Sequence, residues 1–342
     1  MKRRDLMGLA ALAAAGLARA QATPTYSVED LQHAVKLRDL GLADGTAWAL
    51  VQQLCNDVGA RPAGSAGDAK AAAWAQAAMR RIGLQSVRAE SMALRVWQRG
   101  PAAAKLVAPQ ALPLVMAALG NSVATPEGGI EAARRGALAL AIRSIGTDND
   151  PIAHTGATRY EIGVPRIPAF AISVPDANRL AALQSQVEAD GKPLRLQFTL
   201  ASKSDVEATT QNVIGEVPGT DLAHEIVCIG GHLDSWDLGV VAVDDGAGVS
   251  ITAAAAALIA NAGLRPRRTV RVVMYGNEEN GFDGARLYGD QYKDVPHQLI
   301  SESDFGAGRV WQLKSRVQPA ALPLVAQIGQ VLAPLGFGPA PL

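Results

Sequence analysis

The stretch "GGHLDSWDLGVVAVDDGAG" at 230–248 sets one imidazole and several carboxylates among glycines and apolar residues. His232, Asp234, Asp244 and Asp245 offer the mixed nitrogen and oxygen donors that suit zinc. "MYGNEENG" adds Glu278 and Glu279, and "LISESD" adds Asp304. Singly, each has an ordinary explanation: a His-x-Asp is commonly a surface pair, and Asp-Asp-Gly before a helix is commonly an N-cap. Jointly, they follow three apolar runs that read as strands, and a bland account needs several coincidences. A carboxylate can bridge two ions through its two oxygens. Of two adjacent glutamates, one can bind metal while its neighbour takes a proton from metal-acidified water. Asp234 is spaced to accept from the His232 ring and fix its tautomer.

The elements that must position these residues are legible around them. "EIVCIGGHLDS", "TVRVVMYGNEENG" and "HQLISES" read as strands whose carboxyl ends run into His232, Glu278 and Asp304, with a helix over 246–263 following Asp245. "NVIGEVPG" is another strand candidate. Upstream, helical periodicity starts at an N-cap at Ser27, an alanine-rich helix spans 65–83 and ends on Gly83, and a strand spans 87–97. Alternating strands and helices predict an α/β fold with a mostly parallel central sheet, helices on both faces, and ligands outside the carboxyl ends of the strands. Residues 101–205 change character, with many prolines and a short helix over about 175–184, and read as an inserted smaller domain. The expected division is an N-terminal part of the main domain over 21–100, the insertion over 101–205, and a metal-binding part of the main domain over 206–342.

The 342 residues are 49% hydrophobic and carry no formal net charge, so no field favours nucleic acid or an acidic membrane. A short peptide or small molecule is the partner left over. Lys2, Arg3 and Arg4 precede an apolar run from Leu6 to Leu17 and then Ala18-Arg19-Ala20, which reads as a signal peptide of twin-arginine type over 1–20. Export to the periplasm or medium follows. No later stretch is expected to span a membrane; "TAAAAALIANAG" at 252–263 is too short. Cys55 and Cys228 are expected as two buried free thiols.

"GGHLDSWDLG", "VDDGAG", "RRTVRVVMYGNEENG" and "ESDFG", in that order, resemble the family-28 co-catalytic zinc exopeptidases. "HTGATRYEIGVPRIPAFAIS" at 154–173 looks like the inserted, protease-associated-like domain of the carboxypeptidase Q branch. The resemblance implies a zinc exopeptidase or dipeptidase with two zinc ions. It implies that His232 and Asp304 bind one zinc, Asp244 bridges both, and Glu279 binds the second. Glu278 is then the general base and Asp234 orients His232. It also implies a cis peptide at Asp244–Asp245 and a homodimer. One further histidine on the second zinc is implied downstream of Asp304. The chain's histidines are His33, His154, His224, His232 and His297, and none follows Asp304. His224 and His297 precede their strands, about 20 Å from the metal edge, which leaves His154 in the insertion. The insertion also looks shortened between about 129 and 134. The expectation is therefore a C-terminally incomplete peptidase domain with an incomplete second zinc site, and the alternative function is a catalytically impaired remnant that binds metal or peptide.

Overall fold

The computed structural model describes residues 24–123, 136–145, 149–154, 156–191, 193–304, 309–313, 315, 317–336 and 338–339. The expected signal peptide and the shortening at 129–134 lie outside the described residues. Two compact units are formed, one from Met1–Asp39 with Gly308–Leu342 and the other from Leu40–Ala307.

Helix α1 (Val28–Ala43) starts on a reciprocal cap: the Asp30 amide donates to Ser27 Oγ at 3.0 Å and the Ser27 amide to Asp30 Oδ2 at 3.3 Å. In the larger unit, α2 (Thr46–Gln53) is followed by α3 (Ala66–Arg81), whose Ser65 cap accepts from the Asp68 amide and whose end is marked by Gly83 at φ 93°. Strand β1 (Gln85–Gln98) leads into β2 (Ala102–Ala108), β3 (Leu112–Leu114), β4 (Met116–Ala118), β5 (Leu140–Arg143) and β6 (Ala169–Ile172). Helix α4 (Val174–Asp190) outruns the expected 175–184, because Gln184, Ser185 and Gln186 are polar without being helix breakers. Then come β7 (Arg195–Leu200), β8 (Lys203–Val217), β9 (Leu222–His232), α5 (Ala247–Asn261) and β10 (Arg268–Tyr275). A single turn α6 (Glu278–Gly281), α7 (Asp283–Gln291) and β11 (His297–Glu302) complete this unit. In the smaller unit α8 (Leu322–Leu332) accepts a bond from Arg38 Nη1 to Val331 O at 2.8 Å.

The central sheet has the order β1-β8-β10-β9-β11. β10 and β11 both run parallel to β9, while β8 is antiparallel to β10 and to β1. Four of the five strands therefore point one way and β8 alone opposes them. Side chains alternate across β10: Val270, Val272 and Met274 join Leu50, Leu54, Ala71, Ala78, Val249 and Ala256 of the helices on one face. Val273 faces the other way, into a cluster with Ile214, Ile226, Cys228 and Tyr288 of α7. Helices cover both faces. The stretch Ala242–Asn261 has the length and hydropathy of a membrane span, but its helix is packed into this core.

Register explains where the insertion joins. Gln98 on β1 pairs with Lys203 on β8, so the chain leaves and re-enters the sheet at one point, as a hairpin loop would. Between them lie two three-stranded sheets, β3-β2-β7 and β4-β6-β5, around Leu106, Leu114, Phe170, Ile172 and Leu180. Both cysteines are free, but only Cys228 is buried. Cys55 is half-buried, because it sits in the turn after α2 with Sγ 3.7 Å from Val240 O.

Candidate metal centre

The parallel strands end together. Tyr275, the last residue of β10, pairs with His232, the last of β9, and Glu302 of β11 pairs with Gly230. The chain leaving these three ends delivers Glu278 and Glu279, Asp234, and Asp304, while the segment entering α5 brings Asp244. With His232 these are the six residues to which the family resemblance assigns a role, and they meet there. His232 is fully buried, and its Nε2 lies 3.0 Å from Asp244 Oδ1, 3.5 Å from Asp304 Oδ1 and 3.9 Å from Glu278 Oε2. Ligand-capable atoms of His232, Asp244 and Glu279 lie within 4.8 Å of one another, as do those of His232, Asp245 and Asp304. The Asp244–Asp245 peptide is cis.

Asp245 and Asp234 are held by backbone amides. Asp245 Oδ2 accepts from the His232 amide at 3.0 Å and Oδ1 from the Gly248 amide at 2.8 Å, so this carboxylate ties the end of β9 to the start of α5. A Cβ on Gly231 or Gly248 would collide with it, which accounts for the glycines on either side. Asp234 Oδ1 accepts from the Glu278 amide at 2.9 Å and Oδ2 from the Glu279 amide at 3.4 Å. At Nδ1 the His232 ring meets the Asp234 carbonyl at 3.0 Å, while the Asp234 carboxylate is 3.6 Å away and acts on the ring by its charge. Asp234 thus aligns the diglutamate turn with its carboxylate and the imidazole with its carbonyl.

Crowded acids shape the electrostatics. Burial opposes a charge on His232, but Asp234, Asp245 and Glu279 together outweigh it and lift the imidazole to about 10. Burial, then the charge of Asp244, pushes Glu279 up to about 8, and burial raises Asp245 to about 7. Burial also raises Glu278. Glu279 Oε1 is buried without a hydrogen-bond partner. One buried nitrogen facing three carboxylates, with an orphaned carboxylate oxygen beside it, is a donor set that fits a divalent cation.

Among the described histidines, only His232 is at the cluster. His224 and His297 occupy the opposite, amino-terminal ends of β9 and β11, as expected, and His297 Nε2 is bonded to Tyr288 Oη at 2.7 Å. His154 is exposed in the insertion, its amide bonded to Ser144 Oγ. Sequence reasoning missed Arg61, which is fully buried behind the site and donates to the carbonyls of Leu233, Gly59, Val240 and Val241. Its one signal was a lone charge in the glycine- and proline-containing link "GARPAGS". Also missed were Trp236 and Asp237, which meet Trp97 edge-on at 6.5 Å and Arg99 at 2.6 Å. Val241, Asn277 and Phe282 all adopt positive φ at this edge (44°, 58° and 57°), conformations that cost non-glycine residues energy and gather at functional sites.

The model of peptidase family M28 matches residues 212–305, which span β9, α5, β10 and β11. Carboxypeptidase Q of Bos taurus is 29% identical over 351 residues, covering 89% of this chain and 74% of that protein. A solved peptidase M28 precursor from Shewanella amazonensis is 36% identical with a TM-score of 0.84, covering 91% of this chain and 82% of that one. A zinc aminopeptidase from Bacillus subtilis shares the fold at 20% identity and a TM-score of 0.52, covering 72% of this chain and 64% of that one.

Proposed function

The chain belongs to peptidase family M28 and is a metallopeptidase, and from that premise we propose that it is an exported, zinc-dependent exopeptidase acting on short peptides. The observation that carries this reading is the gathering of Asp244, Asp304 and Glu278 within 3.9 Å of one buried imidazole nitrogen. His232, Asp304, Asp244 and Glu279, the last with an inner oxygen that lacks a hydrogen-bond partner, are the residues that would hold zinc. Bound zinc would supply Lewis acidity toward water and the scissile carbonyl. Glu278 has a quarter of its side chain exposed and so can face a substrate. Its Oε2 takes the proton from the attacking water and passes it to the leaving nitrogen. Asp234 keeps both Glu278 and the ring in place through the amide and carbonyl bonds above.

Chelation is expected to abolish dipeptide hydrolysis and added zinc to restore it. Glu278→Gln should lower kcat by about 10²–10⁴-fold while zinc binding persists. Retained turnover in that variant would remove Glu278 from its role. A second reading, a chain that binds metal with little turnover, is favoured by one fact: a single imidazole serves the whole cluster among the described residues. Tight zinc binding by the unaltered chain without dipeptide hydrolysis would select it. Export rests on residues 1–20, and the mature protein should begin at Gln21 by mass spectrometry. A homodimer is the assembly we assign to it, checked by sedimentation.

A further inference from the structure

Among the described residues Arg61 is the largest of the fully buried side chains, yet none of their carboxylates pairs with it within salt-bridge distance. A buried charge is costly unless its donors are met, and here neutral carbonyls meet them. Nε donates to Leu233 O at 2.6 Å, Nη1 to Val240 O at 3.2 Å and Nη2 to Val241 O at 3.1 Å. Leu233 separates His232 from Asp234, while Val240 and Val241 open the turn that ends at Asp244. The main chain closes the arrangement: the Arg61 amide donates to Ser235 Oγ at 3.1 Å and the Ser235 amide to Arg61 O at 3.3 Å. Val241 is β-branched and held at φ 44°, a conformation that persists only under outside constraint, and the Arg61 bond to its carbonyl is such a constraint. Gly246 leaves room for this, since a Cβ there would press on Val241 O at 2.9 Å and Arg61 Nη2 at 3.4 Å.

We propose that Arg61 is the positioning residue of the metal centre: one guanidinium, by holding the Leu233, Val240 and Val241 carbonyls, fixes the spacing between His232 and Asp244. The inference rests on the metal reading above. Because its partners are uncharged, the guanidinium also keeps a full positive charge behind Asp234, Asp245 and Glu279, which lessens their mutual repulsion. Lysine cannot do the same, since an ammonium lacks the planar fork that reaches carbonyls on separate segments.

Cobalt(II) uptake by the chelator-stripped full chain, followed by its visible spectrum, provides the test, with zinc affinity measured by competition. Arg61→Lys and Arg61→Met are expected to weaken metal binding by about 10–100-fold and to shift the cobalt bands. Arg271→Met serves as a control for general destabilisation, because Arg271 is also buried but bonds to Glu216 and Tyr288 on the other face of the sheet. Its spectrum should match that of the unaltered chain. If Arg61→Met does not fold, Arg61→Lys carries the test. Unchanged bands and affinity in Arg61→Lys, or equal changes in Arg271→Met, would overturn the positioning role. No cobalt or zinc uptake by the unaltered chain would instead overturn the metal reading itself.

Discussion

His232 and Glu279 bind protons as well as metal, which makes metal uptake depend on pH in a direction that can be worked out. The imidazole is lifted to about 10 and Glu279 to about 8, so at pH 7 both groups hold protons that a metal must displace. Zinc binding at pH 7 should then release about two protons, and affinity should rise about tenfold per pH unit for each proton displaced. Calorimetry in buffers of different ionisation enthalpy measures this, and heats that do not depend on the buffer would contradict it. That the six residues of the cluster gather at one edge was legible because each follows an apolar strand or precedes a helix. Asp245 shows the limit: its bland reading, an amide acceptor at a helix start, describes its bond from Gly248 but not the one from the His232 amide. Arg61 was illegible because its partners are backbone carbonyls, which leave no trace in residue types.

Among the elements, α3 and the parallel strands were readable from local chemistry, and the direction of β8 was not. Ser65, the alanine run and Gly83 define α3 without help from the rest of the chain. β8 is antiparallel because it returns from the insertion at Lys203 opposite Gln98, and register between residues so far apart is set by tertiary pairing. α3 also carries a test. Asp68 is buried in its first turn, and burial lifts the carboxyl to about 6 despite the amide bond from Gly64. The folded pKa exceeds the reference value of 3.8, so the native state binds the extra proton and stability rises as pH falls through 6, levelling below about 4. Relative to Asp68→Asn, the unaltered chain should gain up to about 3 kcal/mol between pH 7 and pH 4. Urea denaturation of both across that range is the check, and parallel pH profiles would refute it.

At the scale of the larger unit, the insertion and the metal edge share a joint. Arg99, at the point where the chain leaves β1, bonds to Asp237, five residues after His232, and the Trp236 ring lies against Gly120. Any side chain at Gly120 would strike that ring. Gly120→Val should therefore cost about 1–3 kcal/mol and change tryptophan fluorescence, and an unperturbed melt would show that the joint is loose. The two small sheets between Gln98 and Lys203 coincide with a change of composition, but this joint left no such trace, since it pairs residues more than a hundred positions apart. The gathered acids and imidazole are proposed as a metal-dependent hydrolytic centre. The most direct measurement titrates the chelator-stripped full chain with zinc while following hydrolysis of an unblocked dipeptide. Turnover should be absent without zinc and rise to a plateau as the site fills; turnover that ignores zinc, or zinc binding that brings no turnover, would contradict it.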